Sequence, residues 1–294
     1  PPKGPISGSP VTANLDDDWT NGLEIAYASQ DGNLYVTDRL GNQLWAGAIG
    51  GPSNSTPAID SLTTNGGLCV VVGSSTGVHA FDRNGMPLWT YPPVGPPIAF
   101  DSTPVIDDID QNPATGKEIV IGGVDGNVYC LNCLGALLWS FPCPSPAPNQ
   151  FIGSAAVADI DRMQSGLETA IGCQDGRLYV VDKNGNALAS WPPPGPPVGA
   201  IQTTPGIANL VPLAPPFSGS EMNIVFGSDD GHLYCLRYTT GTLTQSWIYP
   251  SAGPPLQPIR SSPAIGVVGA GLGSASEVVF GCDDGTVLHL LGDN

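Results

Sequence analysis

Three stretches of the chain set carboxylates at alternate positions and follow them with a glutamate that opens an apolar run. They are Asp16-Asp17-Asp18 with Glu24, Asp108-x-Asp110-x-Asn112 with Glu118, and Asp159-x-Asp161 with Glu168. Alternate acids on a loop can wrap a hard cation in oxygen, so Asp16, Asp18, Asp108, Asp110, Asp159 and Asp161 are candidate calcium ligands. None of the three completes the D-x-D-x-D-G spacing, because Pro113 stands at the glycine position of the second and Met163 breaks the third. The competing reading is solvated acids that cap turns.

Small hydroxyl residues, most of them next to proline, form the second set: Ser9, Thr56, Thr103, Ser154, Thr204 and Ser262. They could line a ligand site as a ring of donors and acceptors, with carbohydrate a candidate ligand, or could satisfy backbone groups at strand starts. Cys130-Leu131-Asn132-Cys133 fits C-x-x-C, a redox or half-zinc pattern, but has no second copy. Cys133 and Cys143 flank one hairpin and could bridge; Cys173 and Cys282 hold equivalent places in separate repeats. Gly73-Ser74-Ser75-Thr76-Gly77 satisfies G-x-S-x-G without the following helix that a nucleophile elbow needs. His79, His232 and His289 suggest no triad, and the loop with Gly269, Gly271 and Gly273 has no helix after it to bind phosphate. Asn54-Ser55-Thr56 is a glycosylation sequon, which marks Asn54 if the chain is secreted in a eukaryote.

What positions these residues is a repeat. Aligned on a hairpin turn, Asp31, Ser75, Asp125, Asp175, Asp230 and Asp284 follow one another about 44 to 55 residues apart. Seven residues on stand Asp38, Asp82, Asn132, Asp182, Arg237 and Leu291, and Gly41, Gly85, Gly135, Gly185 and Gly241 follow the first five. Then comes a tryptophan: Trp45, Trp89, Trp139, Trp191 and Trp247. An apolar run precedes each Asp-Gly turn, and alternation follows it, with Tyr35, Tyr129, Tyr179 and Tyr234 on the face opposite Val36, Cys130, Val180 and Cys235. Glycine supplies the positive φ of a tight hairpin. No helical period is sustained anywhere. Four short strands per repeat, six times over, predict an all-β chain, a six-bladed β-propeller of four-stranded antiparallel blades. The expected blades are 9–50, 51–97, 98–148, 149–197, 198–255 and 256–294, all in one domain. The proline-rich stretches Pro92 to Pro97, Pro192 to Pro197 and Pro250 to Pro255 then read as extended, partly polyproline II loops between blades.

The stretch IVIGGVDGNVYCLNCLGALLW, echoed by NIVFGSDDGHLYCLRYTTGTLTQSW, resembles the repeat of the pyrroloquinoline-quinone-type propellers. That family includes quinoprotein dehydrogenases and non-enzymatic members that scaffold outer-membrane protein assembly. The resemblance implies that Trp45, Trp89, Trp139, Trp191 and Trp247 dock between neighbouring blades. It also implies a non-enzymatic member, since the quinone enzymes carry an adjacent cysteine pair over the cofactor and this chain has no adjacent cysteines.

A formal charge of −17, from 26 acidic and 9 basic residues, argues against nucleic acid or anionic membrane as partner. Gly (39) and Pro (31) are abundant because turns are. No apolar run is long enough to span a membrane. The chain opens on Pro1-Pro2, as a processed product or an excerpt would, and seven cysteines lean towards an extracellular or periplasmic place. The sixth repeat ends without its tryptophan strand, and the prolines of residues 1–8 make a poor substitute, so its edge is expected to stay open for a partner's strand. The expected function is a non-catalytic scaffold, adhesive or assembly module that needs no cofactor. The alternative is a carbohydrate- or calcium-binding propeller.

Overall fold

The computed structural model describes residues 2, 4–64, 66–144, 150–151, 153–193, 196–210, 222–250, 255–266 and 276–291. The glycine loop around Gly271 and parts of the second and third proline-rich stretches lie outside them. The chain divides into two compact units, Pro1–Ile152 and Gly153–Asn294.

The first unit holds three sheets, each an antiparallel meander in sequence order. The first comprises β1 (Val11–Ala13), β2 (Glu24–Ala28), β3 (Asn33–Thr37) and β4 (Gln43–Ala48). The second comprises β5 (Ala58–Ser61), β6 (Leu68–Ser74), β7 (Gly77–Asp82) and β8 (Pro87–Tyr91). The third comprises β9 (Val105–Asp107), β10 (Glu118–Gly122), β11 (Asn127–Leu131) and β12 (Leu137–Pro142). First strands of successive sheets lie side by side, β1 against β5 and β5 against β9.

In the second unit come β13 (Ala156–Ala158), β14 (Glu168–Gly172), β15 (Leu178–Val181) and β16 (Ala187–Trp191), then β17 (Gly206–Ala208), β18 (Asn223–Gly227), β19 (Leu233–Thr239) and β20 (Thr242–Tyr249). Its last sheet has three strands, β21 (Ala264–Gly266), β22 (Glu277–Gly281) and β23 (Val287–Leu291).

The core lies in layers between successive sheets, because each second strand is apolar on both faces. Val70, Val72 and Phe81 of the second sheet pack on Ala26, Leu34 and Val36 of the first. Ile119, Ile121 and Tyr129 of the third meet Val71, Ala80 and Tyr91 of the second. The second unit repeats this twice, with Phe226 and Tyr234 against Trp191, and Phe280 and Val278 against Val225 and Leu233. Glycine at the end of the second strand makes the layers possible. A Cβ on Gly73 would lie 2.5 Å from the Phe100 carbonyl oxygen, and one on Gly122 2.6 Å from that of Phe151.

The Asp-Gly turn residues work as clamps. Tyr35, Tyr129, Tyr179 and Tyr234 donate their hydroxyls to Asp31, Asp125, Asp175 and Asp230 at 2.5 to 2.8 Å, and burial raises the Tyr129 and Tyr234 hydroxyls above the usual phenol range. Two of these rings meet the sheet before them, as the alternation suggested: Tyr129 lies 5.7 Å from Tyr91, and Tyr234 4.9 Å from Trp191, while Tyr35 stacks on Tyr27 of its own sheet.

Register corrects the tryptophan column. Trp45, Trp89, Trp139 and Trp247 pair with Val36, Ala80, Cys130 and Cys235, each beside a bulge that leaves one extra residue on the outer strand. In the fourth sheet the residue opposite Val180 is Ala189, whereas Trp191 pairs with Leu178, in the column of Tyr91, Phe141 and Tyr249. Trp191 still meets the neighbouring sheet, through Phe226 and Tyr234, but from the buried aromatic column and not from the tryptophan column; the longer linker in the sequence from Gly185 hid the shift of two. The fifth turn departs as well. Arg237 pairs with Thr244 inside the ladder, and Thr240 and Gly241, with φ of 43° and 80°, close a two-residue hairpin.

Candidate functional site

The three acidic loops share one construction. Glu24, Glu118 and Glu168 open the second strand opposite the last residue of the first, and each turns its Oε2 onto the loop above. Glu24 accepts from the Leu15 amide at 2.8 Å. Glu118 accepts from Ile109 at 2.8 Å and Asp110 at 3.3 Å, and Glu168 from Ile160 at 2.8 Å and Asp161 at 3.2 Å. These bonds hold the loops in a left-handed kink at Asp17, Gln111 and Arg162, with φ of 63°, 57° and 51°.

Two of the loops bring three carboxylates together. One oxygen each from Asp108, Asp110 and Glu118, and likewise from Asp159, Asp161 and Glu168, lie within 4.8 Å of one another. Asp108 and Asp110 both accept from the Asn112 amide through Oδ1, at 2.8 and 2.7 Å. Asp159 accepts from Arg162 and Asp161 from Met163, again through Oδ1 and at 2.8 Å. Each acid thus uses one oxygen on the loop backbone, and Asp110 Oδ2 also accepts from Thr115 Oγ1 at 3.2 Å; carboxylate oxygens in this arrangement are a donor set that fits a hard cation. Burial first, and the neighbouring acids after it, raise the Glu118 and Glu168 carboxyls above their ordinary range. A bound cation would relieve that cost.

The first loop does not match. Strand pairing aligns Asn14 with Asp108 and Asp159, and Asp16 with Asp110 and Asp161, so Asp18 belongs to the column of Asn112 and Met163. Asp16 is spent on the Asp18 amide and the Asn21 side chain, at 2.9 and 2.7 Å, and Asp18 on Thr20, whose bonds lower its carboxyl below the usual range. Asn14 is 8% exposed, with neither side-chain polar atom bonded among the described residues. Sequence reasoning missed it, although setting Asn14-Leu15-Asp16 under Asp108-Ile109-Asp110 would have found it.

Replacing Glu118 by alanine leaves the buried Ile109 amide and the half-buried Asp110 amide without an acceptor. The expected loss is about 2 kcal/mol, read as a lower urea midpoint with unchanged slope; a midpoint equal to the parent's would contradict it.

The hydroxyl residues clasp neighbouring sheets. The Ser9 amide donates to Thr56 Oγ1 at 2.9 Å, and the Thr204 amide to Ser262 Oγ at 3.0 Å. Thr103 and Ser154 sit half-buried at the same place. In three repeats the residue before is the stronger structural element: Ser102 exchanges bonds of 3.0 and 2.9 Å with Gly122, as Thr203 does with Gly227 and Ser261 with Gly281. Doublets such as Ser102-Thr103 carried that signal in the sequence.

The remaining motifs take structural places. All seven cysteines are thiols. Cys133 donates to the Thr115 carbonyl at 3.1 Å and does not bridge to Cys143, while burial pushes the Cys130 thiol far up. Burial first, then Glu118, raises the Cys133 thiol too, so the C-x-x-C pair stays protonated at neutral pH. His79 occupies the tyrosine column of the second sheet, with Ser74 Oγ at 3.0 Å and Thr90 Oγ1 at 3.2 Å. Its bond goes to Ser74 and not to Ser75, the elbow serine. His232 stands 3.3 Å from Asp230, and His289 3.0 Å from Glu277. Asn54 is exposed, and its amide donates to Asp101 at 3.2 Å. A cavity of about 440 Å³ opens among Leu62, Leu68, Cys69, Leu88, Trp89, Cys133 and Leu134, and one of about 180 Å³ adjoins Asp161, Arg162 and Tyr238.

Five four-stranded meanders and one that has three strands among the described residues make this an all-β chain of the β-propeller class with six blades. The chain belongs to the family described as outer membrane protein assembly factor BamB, whose model matches residues 19–241. BamB from Moraxella catarrhalis is similar in structure, with a TM-score of 0.63 and 18% identity over 99% of this chain and 73% of that one. Sqt1 from Saccharomyces cerevisiae has a TM-score of 0.68 and 15% identity over 91% and 68% of the two chains. BBS1N, solved in complex with ARL6DN, has a TM-score of 0.55 and 18% identity over 98% and 80%. At such identities these likenesses carry the fold. No curated protein sequence matches the chain.

Proposed function

We propose that this chain is a non-catalytic assembly module that works outside the cytoplasm, secreted or periplasmic, and receives a partner protein's strand on the edge of its sixth blade. The observation that carries the reading is the three-stranded sheet. β23 is an outermost strand there, with Val287 75% exposed, whereas every other sheet continues into a fourth strand. An unpaired strand edge offers backbone donors and acceptors for β-augmentation. The family description as an assembly factor and the BBS1N complex support a protein partner. The placing of His79, His232 and His289 on structural partners supports a non-catalytic role.

A photo-crosslinking residue at position 287 tests it. Adducts with a defined partner in the native surface fraction are expected, and they should vanish when His289→Pro removes an edge donor, since the amides of Val287 and His289 face away from β22 in the alternating ladder. Adducts that persist in His289→Pro, or none at all, count against the edge.

The paired carboxylate triads favour a second reading, calcium binding by Asp108, Asp110 and Glu118 and by Asp159, Asp161 and Glu168. Calcium at a hundredfold excess over its Kd would stabilise the chain by about 2.7 kcal/mol per site, seen as a raised melting temperature. Asp110→Asn with Asp161→Asn should abolish the rise; an identical rise in that double variant sinks the reading.

A further inference from the structure

The second and third sheets each carry, on the turn after their third strand, a tryptophan from the sheet before. Trp45 lies across Gly85 so closely that a Cβ there would sit 2.7 Å from the indole, and its Nε1 donates to the Arg83 carbonyl at 3.0 Å. Trp89 covers Gly135 in the same way, at 2.5 Å, and donates to the Cys133 carbonyl at 3.0 Å. Each seat therefore has two parts: a glycine floor that accepts a flat ring and a carbonyl that accepts one N–H.

The first sheet builds the same turn. Asp38 Oδ1 accepts from the Leu40 and Asn42 amides at 2.8 Å, as Asp82 Oδ1 does from Asn84 and Met86 at 2.9 and 2.8 Å. Gly41 has φ of 83°, against 82° at Gly85 and 77° at Gly135. Yet among the described residues no heavy atom lies within 4 Å of a Cβ built on Gly41, and none donates to the carbonyl of Arg39, the counterpart of Arg83 and Cys133.

We propose that the Asp38–Asn42 turn is a docking seat for a tryptophan presented in trans on a β-strand of a protein partner. Tryptophan is the side chain that combines a large flat apolar face with a single N–H donor, which is what the floor and the carbonyl ask for. A strand is the expected carrier because both seated tryptophans come from outer strands, β4 and β8, and each is held there by its ladder. The chain's own Trp45 and Trp89 are the templates. The inference rests on the assembly reading for the existence of a partner, and its residues all belong to the first unit.

The test titrates the 294-residue chain with a dye-labelled peptide, Ala-Leu-Leu-Trp-Ser-Phe-Pro, copied from residues 136–142, and follows anisotropy. Binding is expected to weaken about tenfold when the peptide's tryptophan becomes alanine, and by a similar factor in Gly41→Asn, which keeps the left-handed backbone and fills the floor. An upfield ring-current shift of the Gly41 Hα on adding peptide reads the seat in the unaltered chain. Absence of binding, equal affinity for both peptides, or a Gly41→Asn chain that binds like the parent overturns the seat. His289→Pro tests the two readings apart: peptide binding lost there and kept in Gly41→Asn removes the seat and spares the edge, and the reverse is the result expected.

Discussion

Trp89→Ala is expected to destabilise the folded chain by about 3 kcal/mol, near the lower end of the range for tryptophan truncation because the ring is half-buried. Three losses add. The indole no longer covers Gly135, its N–H no longer meets the Cys133 carbonyl, and one wall of the cavity beside Leu62 and Leu134 opens. The contact joins the second sheet to the third, so the loss falls on cohesion between blades. Urea unfolding should show a lower midpoint with an unchanged slope. A change under about 1 kcal/mol would mean that the ring is an ornament of the turn. The converse substitution, Ala189→Trp, should gain nothing, because the fifth sheet replaces the five-residue turn with a two-residue hairpin at Thr240 and Gly241, where only the Leu188 carbonyl oxygen, 3.9 Å away, approaches the glycine.

His79 is expected to make stability fall in mild acid. Burial pushes its imidazole from an ordinary 6.5 down to about 4, so the folded chain holds it neutral where the unfolded chain would protonate it. Between those values the unfolded state binds the extra proton, and stability therefore rises with pH. The contribution is complete above about pH 6.5, is lost progressively towards pH 4, and amounts at most to about 3 kcal/mol. Glu118 and Glu168 act with the opposite sign. Their raised carboxyls take up protons more readily when folded, so their share is gained on acidification and lost as pH rises through the folded value. The difference between the parent and His79→Gln cancels the glutamates and isolates the histidine. Parallel stability curves for the two from pH 7 to pH 4 would show that His79 is not the titrating group.

Much of this protein was legible in the sequence, for a local reason. The Asp-Gly turn, the alternating tyrosine and the apolar second strand are set by φ, by pleat and by burial within a few residues. Six copies then specify an all-β chain of meanders without any knowledge of contacts. The acidic loops were legible as loops too, since their glutamates sit at a constant place. What misled was the counting of residues between anchors. Trp191 was set in one column with the other four tryptophans because a two-residue shift is invisible until strands pair, and Asp18 was read as a ligand although Asn14 occupies the first column of the triads.

By itself the sequence determined the repeat, the four-stranded pattern of a blade and the residue types that could hold a cation. Only the tertiary structure decided which of those residues meet. Strand register selects the partner across each ladder, and a slip of one residue moves a side chain to the other face. It put three carboxylates within 4.8 Å in two loops and not in the first, turned the hydroxyl residues into clasps between sheets, and seated Trp45 and Trp89 while leaving Gly41 uncovered among the described residues. Those outcomes depend on distances between segments far apart in the chain, and no local pattern encodes a distance.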